Sequence, residues 1–177
     1  MNNLKTKKLT SIALLIALEV ILGRMGIMTP IVSINFSFVP LVINAILFGP
    51  ISAAVSSGLA DIIGSLMLPQ GLGTYFPGYT FSAMLTGLVY GLILYRKPKN
   101  LGRIVLACSI TSVVISLGLS TFWVYVITGK GYLAILFTRT LQIAVMIPVK
   151  ILVINMIIYR LIPLVKREAE NITSEKV

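Results

Sequence analysis

The chain has 177 residues, 57% of them hydrophobic, and a formal net charge of +10. Its mean hydropathy of +0.99 places most of a one-domain chain in lipid, which excludes a soluble enzyme or a soluble nucleic-acid binder. With one Cys and no His, it can form no internal disulfide, no Cys/His metal cluster and no Ser/His or Cys/His nucleophile pair.

Apolar runs predict six spans, at 8–28, 38–49, 50–68, 78–95, 103–127 and 132–162. A helix needs about 20 residues to cross a bilayer. The first run follows Lys5, Lys7 and Lys8, as in a leader peptide. Glu19 and Arg24 interrupt it, however, and no small-x-small cleavage site follows, so it is expected to remain a span. The second is short, and only Gly49-Pro50 divides it from the third. A hairpin and a broken helix read alike there, because Pro disfavours helix in the residue before it. In the sixth, Pro148 predicts a kink. The polar stretch 163–177 is a short tail, and the whole chain, 1–177, reads as one domain with its core at about 8–162.

The basic residues are segregated. Lys5, Lys7 and Lys8 precede the first span, Arg96, Lys97, Lys99 and Arg103 join the fourth to the fifth, and Arg160, Lys166, Arg167 and Lys176 end the chain. Six spans put all of these on one side. Basic short loops stay in the cytoplasm, so both termini are expected there. The opposite connections carry little charge. Ile34-Asn35-Phe36-Ser37-Phe38 alternates apolar and polar, a strand-like period. The stretch 68–80 is uncharged and rich in Gly, Pro and aromatics, which suits either a lid over a flat ligand or an interfacial aromatic belt. Trp123, near the same end of the fifth span, carries the same two readings.

Five ionisable side chains fall within the spans: Glu19, Arg24, Asp61, Arg139 and Lys150. Such groups are costly at membrane depth and mark a polar task in the bundle interior. Arg139, Gln142, Met146 and Lys150 step by three, four and four, so they share one helical face. That stripe suits an extended anionic ligand. It equally suits structural pairing with Asp61 or Glu19. Asp61 can accept two parallel N–H bonds from an amino-pyrimidine edge, or pair with Arg24 or Arg139. Small residues also recur at helical spacing: Ala13 and Ala17; Ala83, Gly87 and Gly91; Ser112, Ser116 and Ser120. These faces let helices approach closely in lipid, which most simply means packing within one bundle. Cys108 reads as inert packing. No phosphate-binding Gly-x-x-x-x-Gly-Lys-Ser/Thr is present, because Gly129-Lys130 lacks both the upstream Gly and the following hydroxyl. An enzymatic role is therefore not expected.

Several stretches, taken in order, carry a family resemblance. Ile34-Asn35-Phe36-Ser37-Phe38-Val39-Pro40, Leu47-Phe48-Gly49-Pro50, Ala60-Asp61-Ile62-Ile63-Gly64 and Tyr75-Phe76-Pro77-Gly78-Tyr79-Thr80 resemble the substrate-binding (S) components of energy-coupling-factor (ECF) vitamin transporters. The Phe76–Thr80 stretch resembles the folate-specific branch, as do Leu119-Ser120-Thr121-Phe122-Trp123, Gly129-Lys130, Arg139 and Met146-Ile147-Pro148. The chain departs from the pattern at Ser120, where Asn is expected, and at Phe137-Thr138, which replace a Pro-containing approach to Arg139.

The resemblance implies an all-α, six-helix integral membrane fold in a bacterial cell membrane, with both termini cytoplasmic. It implies folate as the transported ligand, bound from outside with no covalent cofactor. Phe36, Phe38, Phe76, Tyr79 and Trp123 would stack on its rings beside Pro77 and Gly78. Asn35, Asp61, Thr80 and Gln142 would bond the pterin edge, and Arg24, Arg139 and Lys150 would meet acceptors or carboxylates. Ala13 and Ala17 would dock on a transmembrane coupling protein that carries two ATPase subunits. The nearest alternatives are an S component for a pyrimidine, pantothenate or riboflavin, and a self-sufficient secondary transporter.

Overall fold

The computed structural model describes residues 3–24, 27–28, 33–34, 36–67, 75–97, 100–129 and 132–161. Six helical rods make up the described chain. They are α1 (Asn3–Arg24), α2 (Phe38–Phe48), α3 (Pro50–Met67), α4 (Pro77–Leu94), a fifth rod and α7 (Tyr132–Met156). The fifth rod joins α5 (Leu101–Ile110) to α6 (Thr121–Thr128) through a π-helical stretch, Thr111–Ser120. A second π-helical turn, Ile157–Leu161, closes the rod begun by α7.

The rods alternate in direction. Asp61 meets Thr80, Ser57 meets the Ala83 carbonyl and Thr111 meets Tyr90, each pair joining antiparallel neighbours. Both ends of the described chain therefore lie at one end of the bundle. Lys7, Lys8, Arg96, Lys97, Arg103 and Arg160 share that basic end. There Lys8 Nζ sits 5.8 Å from the Phe48 ring centroid, and Arg96 sits 5.3 Å from that of Tyr95.

Among the described residues, four helical stretches are long and apolar enough to cross a membrane: Pro50–Met67, Pro77–Leu94, Leu101–Ile127 and Ile135–Arg160. α1, at 22 residues, is about 33 Å long and matches the roughly 30 Å hydrocarbon layer in length. The expected second span differs. α2 has 11 residues, about 16 Å, and cannot cross alone. Its apolar character has another source: Pro40, Leu41, Val42, Ala45 and Ile46 are buried among the other helices. Gly49, at φ 94, reverses the chain into α3 with Pro50 as its first residue, so the ambiguous boundary is a hairpin. Asn44 Nδ2 donates to Ser56 Oγ across that hairpin, and Ser52 Oγ donates to Asn44 Oδ1 at 3.2 Å. The strand expected over 34–38 is also shorter. Ile27–Met28 (β1) pairs antiparallel with Ser33–Ile34 (β2). Phe38 begins α2 instead, where Pro40 is tolerated in the first turn and Phe38 gains burial. α7 runs through Pro148.

The core is apolar and so is the outside. Val42, Ala45, Ala53, Ile104, Ala107, Cys108 and Ile154 are fully buried. Ile51, Val55, Leu59, Ile63 and Leu66 form an exposed stripe along α3, as lipid-facing helices require. Burial of Cys108 agrees with the packing role expected for it.

α3 and α4 pack backbone to backbone. A Cβ on Gly87 would overlap the Ala53 carbonyl, and one on Gly91 would overlap the Pro50 backbone. The small face of α4 is thus an internal contact, held further by Ser57 Oγ donating to Ala83 O at 2.8 Å. The serine face of the fifth rod falls in its π stretch, where Ser112 Oγ is buried without a hydrogen-bond partner. The threonines at the two ends of the stretch bond back to the chain: Thr111 Oγ1 donates to Ala107 O at 2.8 Å, and Thr121 Oγ1 to Ser116 O at 3.3 Å. Such back-bonding competes with regular helix pairing. Gly91→Ala is expected to destabilise the purified protein by about 1–3 kcal/mol through overpacking. Gly102→Ala, where a Cβ meets nothing within 4 Å, is expected to be neutral or stabilising. Thermal unfolding of both variants in one detergent checks the pair.

Candidate substrate site

The site begins at the first turn of α4, at the end of the bundle away from the basic residues. Pro77 opens the helix, and its ring pushes Phe76 into an extended conformation at φ −129, ψ 119. That swings the Phe76 ring over the helix start. Gly78 comes next. A Cβ there would lie 2.6 Å from Trp123 Cδ2 and 2.5 Å from Phe76 Cε1, so only glycine lets the indole rest on the backbone. Phe76 and Trp123 have ring centroids 5.5 Å apart at 57°, and Phe76 and Tyr79 are 6.0 Å apart at 72°. Phe122 adds an edge contact to Trp123 at 5.3 Å and 63°. Tilted and edge-on pairs of this kind are the favoured geometry of aromatic clusters.

The indole is anchored inward. Trp123 Nε1 donates to Ser82 Oγ at 3.2 Å, and Ser82 Oγ donates to Gly78 O at 3.0 Å. A residue of an interfacial belt would turn its N–H to the headgroups. Trp123 turns it to α4 instead, which favours the site reading over the belt.

The polar side of the site comes from α3, α1 and α7. Thr80 Oγ1 donates to Asp61 Oδ2 at 2.8 Å and lies 3.3 Å from the Tyr75 hydroxyl. Glu19, on α1, is near enough to Asp61 for the two carboxyl groups to interact electrostatically. Arg139, on α7, interacts with Tyr79. Consecutive residues of α4 thus meet the two charges, Tyr79 the guanidinium and Thr80 the carboxylate. This arrangement gives an aromatic cluster with a carboxylate and a guanidinium near it.

The structure thus brings Asp61, Phe76, Pro77, Gly78, Tyr79, Thr80, Trp123 and Arg139 together. Gln142 sits one helical turn from Arg139, half-buried. Phe36 and Phe38 pair with each other at the start of α2, with centroids 6.2 Å apart; Phe38 is in the core and Phe36 is exposed. Lys150 is not part of the cluster. It lies 11 residues beyond Arg139, about 16 Å along the helix, where it interacts with Cys108. Asn35 and the side chain of Arg24 lie outside the described residues. Ala13 and Ala17 are exposed on the outer face of α1 with Leu14 and Leu18. Sequence reasoning passed over Ser82, Phe122 and the closeness of Glu19 to Asp61. Ser82 was within reach, because it follows Gly78 by four residues on a helix facing Trp123.

One end of the bundle thus gathers aromatic rings, a carboxylate and a guanidinium, and the basic residues lie at the other. The family model described as "ECF transporter, substrate-specific component" matches residues 7–165. The chain belongs to that family, a class of multi-pass membrane proteins whose role is transport rather than catalysis. It is 34% identical to "Folate transporter FolT" of Clostridium novyi (strain NT) over 151 residues, 85% of this chain and 87% of that one. It is 25% identical to the protein of the same name from Leuconostoc mesenteroides, over 84% of this chain and 82% of the relative. A crystal structure of FolT bound with folic acid matches the fold with a TM-score of 0.80 at 28% identity, covering 86% of this chain and 92% of that one.

Thr80→Val removes the donor to Asp61 while keeping the side chain's shape. It is expected to lower stability by about 1–3 kcal/mol, the penalty for leaving a partly buried acceptor short of a bond. Thr80→Ser should retain most of that stability. Unfolding of the three proteins side by side is the check.

Proposed function

We propose that this chain is the folate-binding subunit of an ATP-driven vitamin uptake transporter of a bacterial cell membrane. One observation carries the reading: the Phe76–Tyr79–Trp123 cluster and the Asp61–Thr80 pair share one end of the bundle, in a chain whose relatives are named as folate transporters.

Folate has a flat pterin, an aminobenzoyl ring and a dianionic glutamate. In this reading the ring system lies against Trp123, Phe76 and Tyr79, and Gly78 leaves room for the indole beneath. Asp61 accepts N–H bonds from the pterin edge, with Thr80 holding the carboxylate in place. Gln142 and Asn35 supply further polar contacts, and Phe36 flanks the entrance with Phe38 in the core behind it. Arg139 and Arg24 meet the carboxylates or ring acceptors, Arg139 with the planar fork that suits a carboxylate. Lys150 is left to structural pairing near Cys108. Most of the ligand's surface is buried, as in other tight small-molecule sites.

Both termini face the cytoplasm, following the basic residues at that end, and folate enters from the opposite side. The chain supplies no engine. It docks through the outward Ala13/Ala17 face of α1 on a transmembrane coupling protein with two ATPase subunits, whose cycle releases folate inward.

Isothermal titration of the purified protein with micromolar folate is expected to show saturable binding; absence of heat would remove folate as the ligand. In the same titration, Arg139→Ala is expected to weaken binding by about 1.5–3 kcal/mol, the range for a bond to a charged group. An unchanged affinity in the folded variant would return Arg139 to a structural role. Replacing Ala13 and Ala17 together by Trp is expected to spare folate binding and block co-purification with the coupling protein. Persistence of the complex would refute the docking face.

A further inference from the structure

We propose that Ser82 is the positioning residue of this site: its hydroxyl clamps the Trp123 indole in the orientation that the ligand's rings meet. The inference rests on the folate reading only for its affinity arm.

The clamp follows from donor bookkeeping. A serine hydroxyl has one proton and two lone pairs. Here the proton is committed to Gly78 O, 3.0 Å away and one turn earlier on the same helix. The lone pairs are left to accept, and the indole N–H at 3.2 Å takes one. Indole nitrogen can only donate, so the direction of the bond is fixed at both ends. Ser82 is 5% exposed, so water does not replace it easily. Its own carbonyl is taken by Thr86 Oγ1 at 2.8 Å, which ties the relay into the next turn of α4.

The same turn makes space for the ring. Gly78, whose carbonyl receives the Ser82 proton, is also the residue on which the indole lies. One helical turn therefore supplies both the floor and the pin. The ring needs a pin because of its position in the chain. Trp123 is the third residue of α6, just beyond the ten-residue π stretch. Stretches paired i→i+5 are rare departures from regular helix. Phe76 and Phe122 meet the indole by a tilted and an edge-on ring contact, neither of them directional enough to fix its rotation about χ2. The hydrogen bond to Ser82 is the directional contact.

The chain has one Trp, so indole fluorescence reports this position alone. Emission and anisotropy are read on the ligand-free protein, and folate affinity is read on the wild type, Ser82→Ala, Ser82→Thr, Trp123→Phe and the Ser82→Ala/Trp123→Phe double variant. Ser82→Ala is expected to shift the emission maximum, lower the anisotropy and weaken folate binding by about tenfold, a lost hydrogen bond's worth. Ser82→Thr should restore all three. The double variant should bind about as weakly as Trp123→Phe alone, because without the indole N–H the Ser82 hydroxyl has nothing to hold. Unchanged emission in Ser82→Ala, additive losses in the double variant, or shifted emission with unchanged affinity would each overturn the proposal. Ser82→Cys, with a poor acceptor of similar size, replaces Ser82→Ala should that variant not fold. If the wild type binds no folate, the folate reading falls, and the emission and anisotropy of the empty protein still decide whether Ser82 holds the ring.

Discussion

Direct contact between the backbones of α3 and α4 sets the geometry on which the rest depends. Gly87 lies against the Ala53 carbonyl and Gly91 against Pro50, with no side chain between. In lipid, helices gain little from the hydrophobic effect when they associate, so close van der Waals approach and interhelical hydrogen bonds must do it. The register that follows places Ser57 on the Ala83 carbonyl, and one turn further on Thr80 beside Asp61. The carboxylate therefore stands beside the first turn of α4 because two glycines, about two and three turns along the same helix, let α3 approach.

That first turn does several things at once. Pro77 starts the helix and sets Phe76, Gly78 admits the indole, and Thr80 holds Asp61. The polar groups are not scattered through the membrane interior. Polar side chains pair between rods, from Asn44 with Ser56 near the hairpin to Trp123 with Ser82 near the first turn of α4. A low-dielectric setting favours such pairing, because a buried polar group left alone is costly there, and Ser112 Oγ and Asn155 Oδ1 are the described exceptions.

Much of this was legible in the sequence, and the reasons differ by element. The rods could be read because twenty apolar residues have few alternatives to a membrane helix. α2 misled because burial in protein and burial in lipid select the same side chains; only its length of 11 residues tells them apart. The strand reading of 34–38 failed because alternation over five residues also fits the approach to a helix. The π stretch left no mark in apolar periodicity, since lipid accepts apolar residues on any face. In the site, Gly78, Trp123, Asp61 and Arg139 stood out as residue types that are conspicuous in lipid. Ser82 did not, because a serine in a membrane helix most often bonds its own backbone. The meeting of Glu19 with Asp61 depends on α1 and α3 running side by side in parallel, which is tertiary information. Lys150 shares a helical face with Arg139 by spacing, yet a face 16 Å long, by about 1.5 Å per residue, reaches from the site to the inner core.

The central claim is that the first turn of α4, with Trp123 and Asp61, forms the floor and flank of a folate site. A structure of the protein in lipid with folate present tests it most directly. The account expects the pterin against the Trp123 and Phe76 rings, with its amino edge on the Asp61 carboxylate and Arg139 on an anionic group. Folate held at the basic end, or an open end where Asp61 and Arg139 bond only protein while the ligand lies elsewhere, would contradict it.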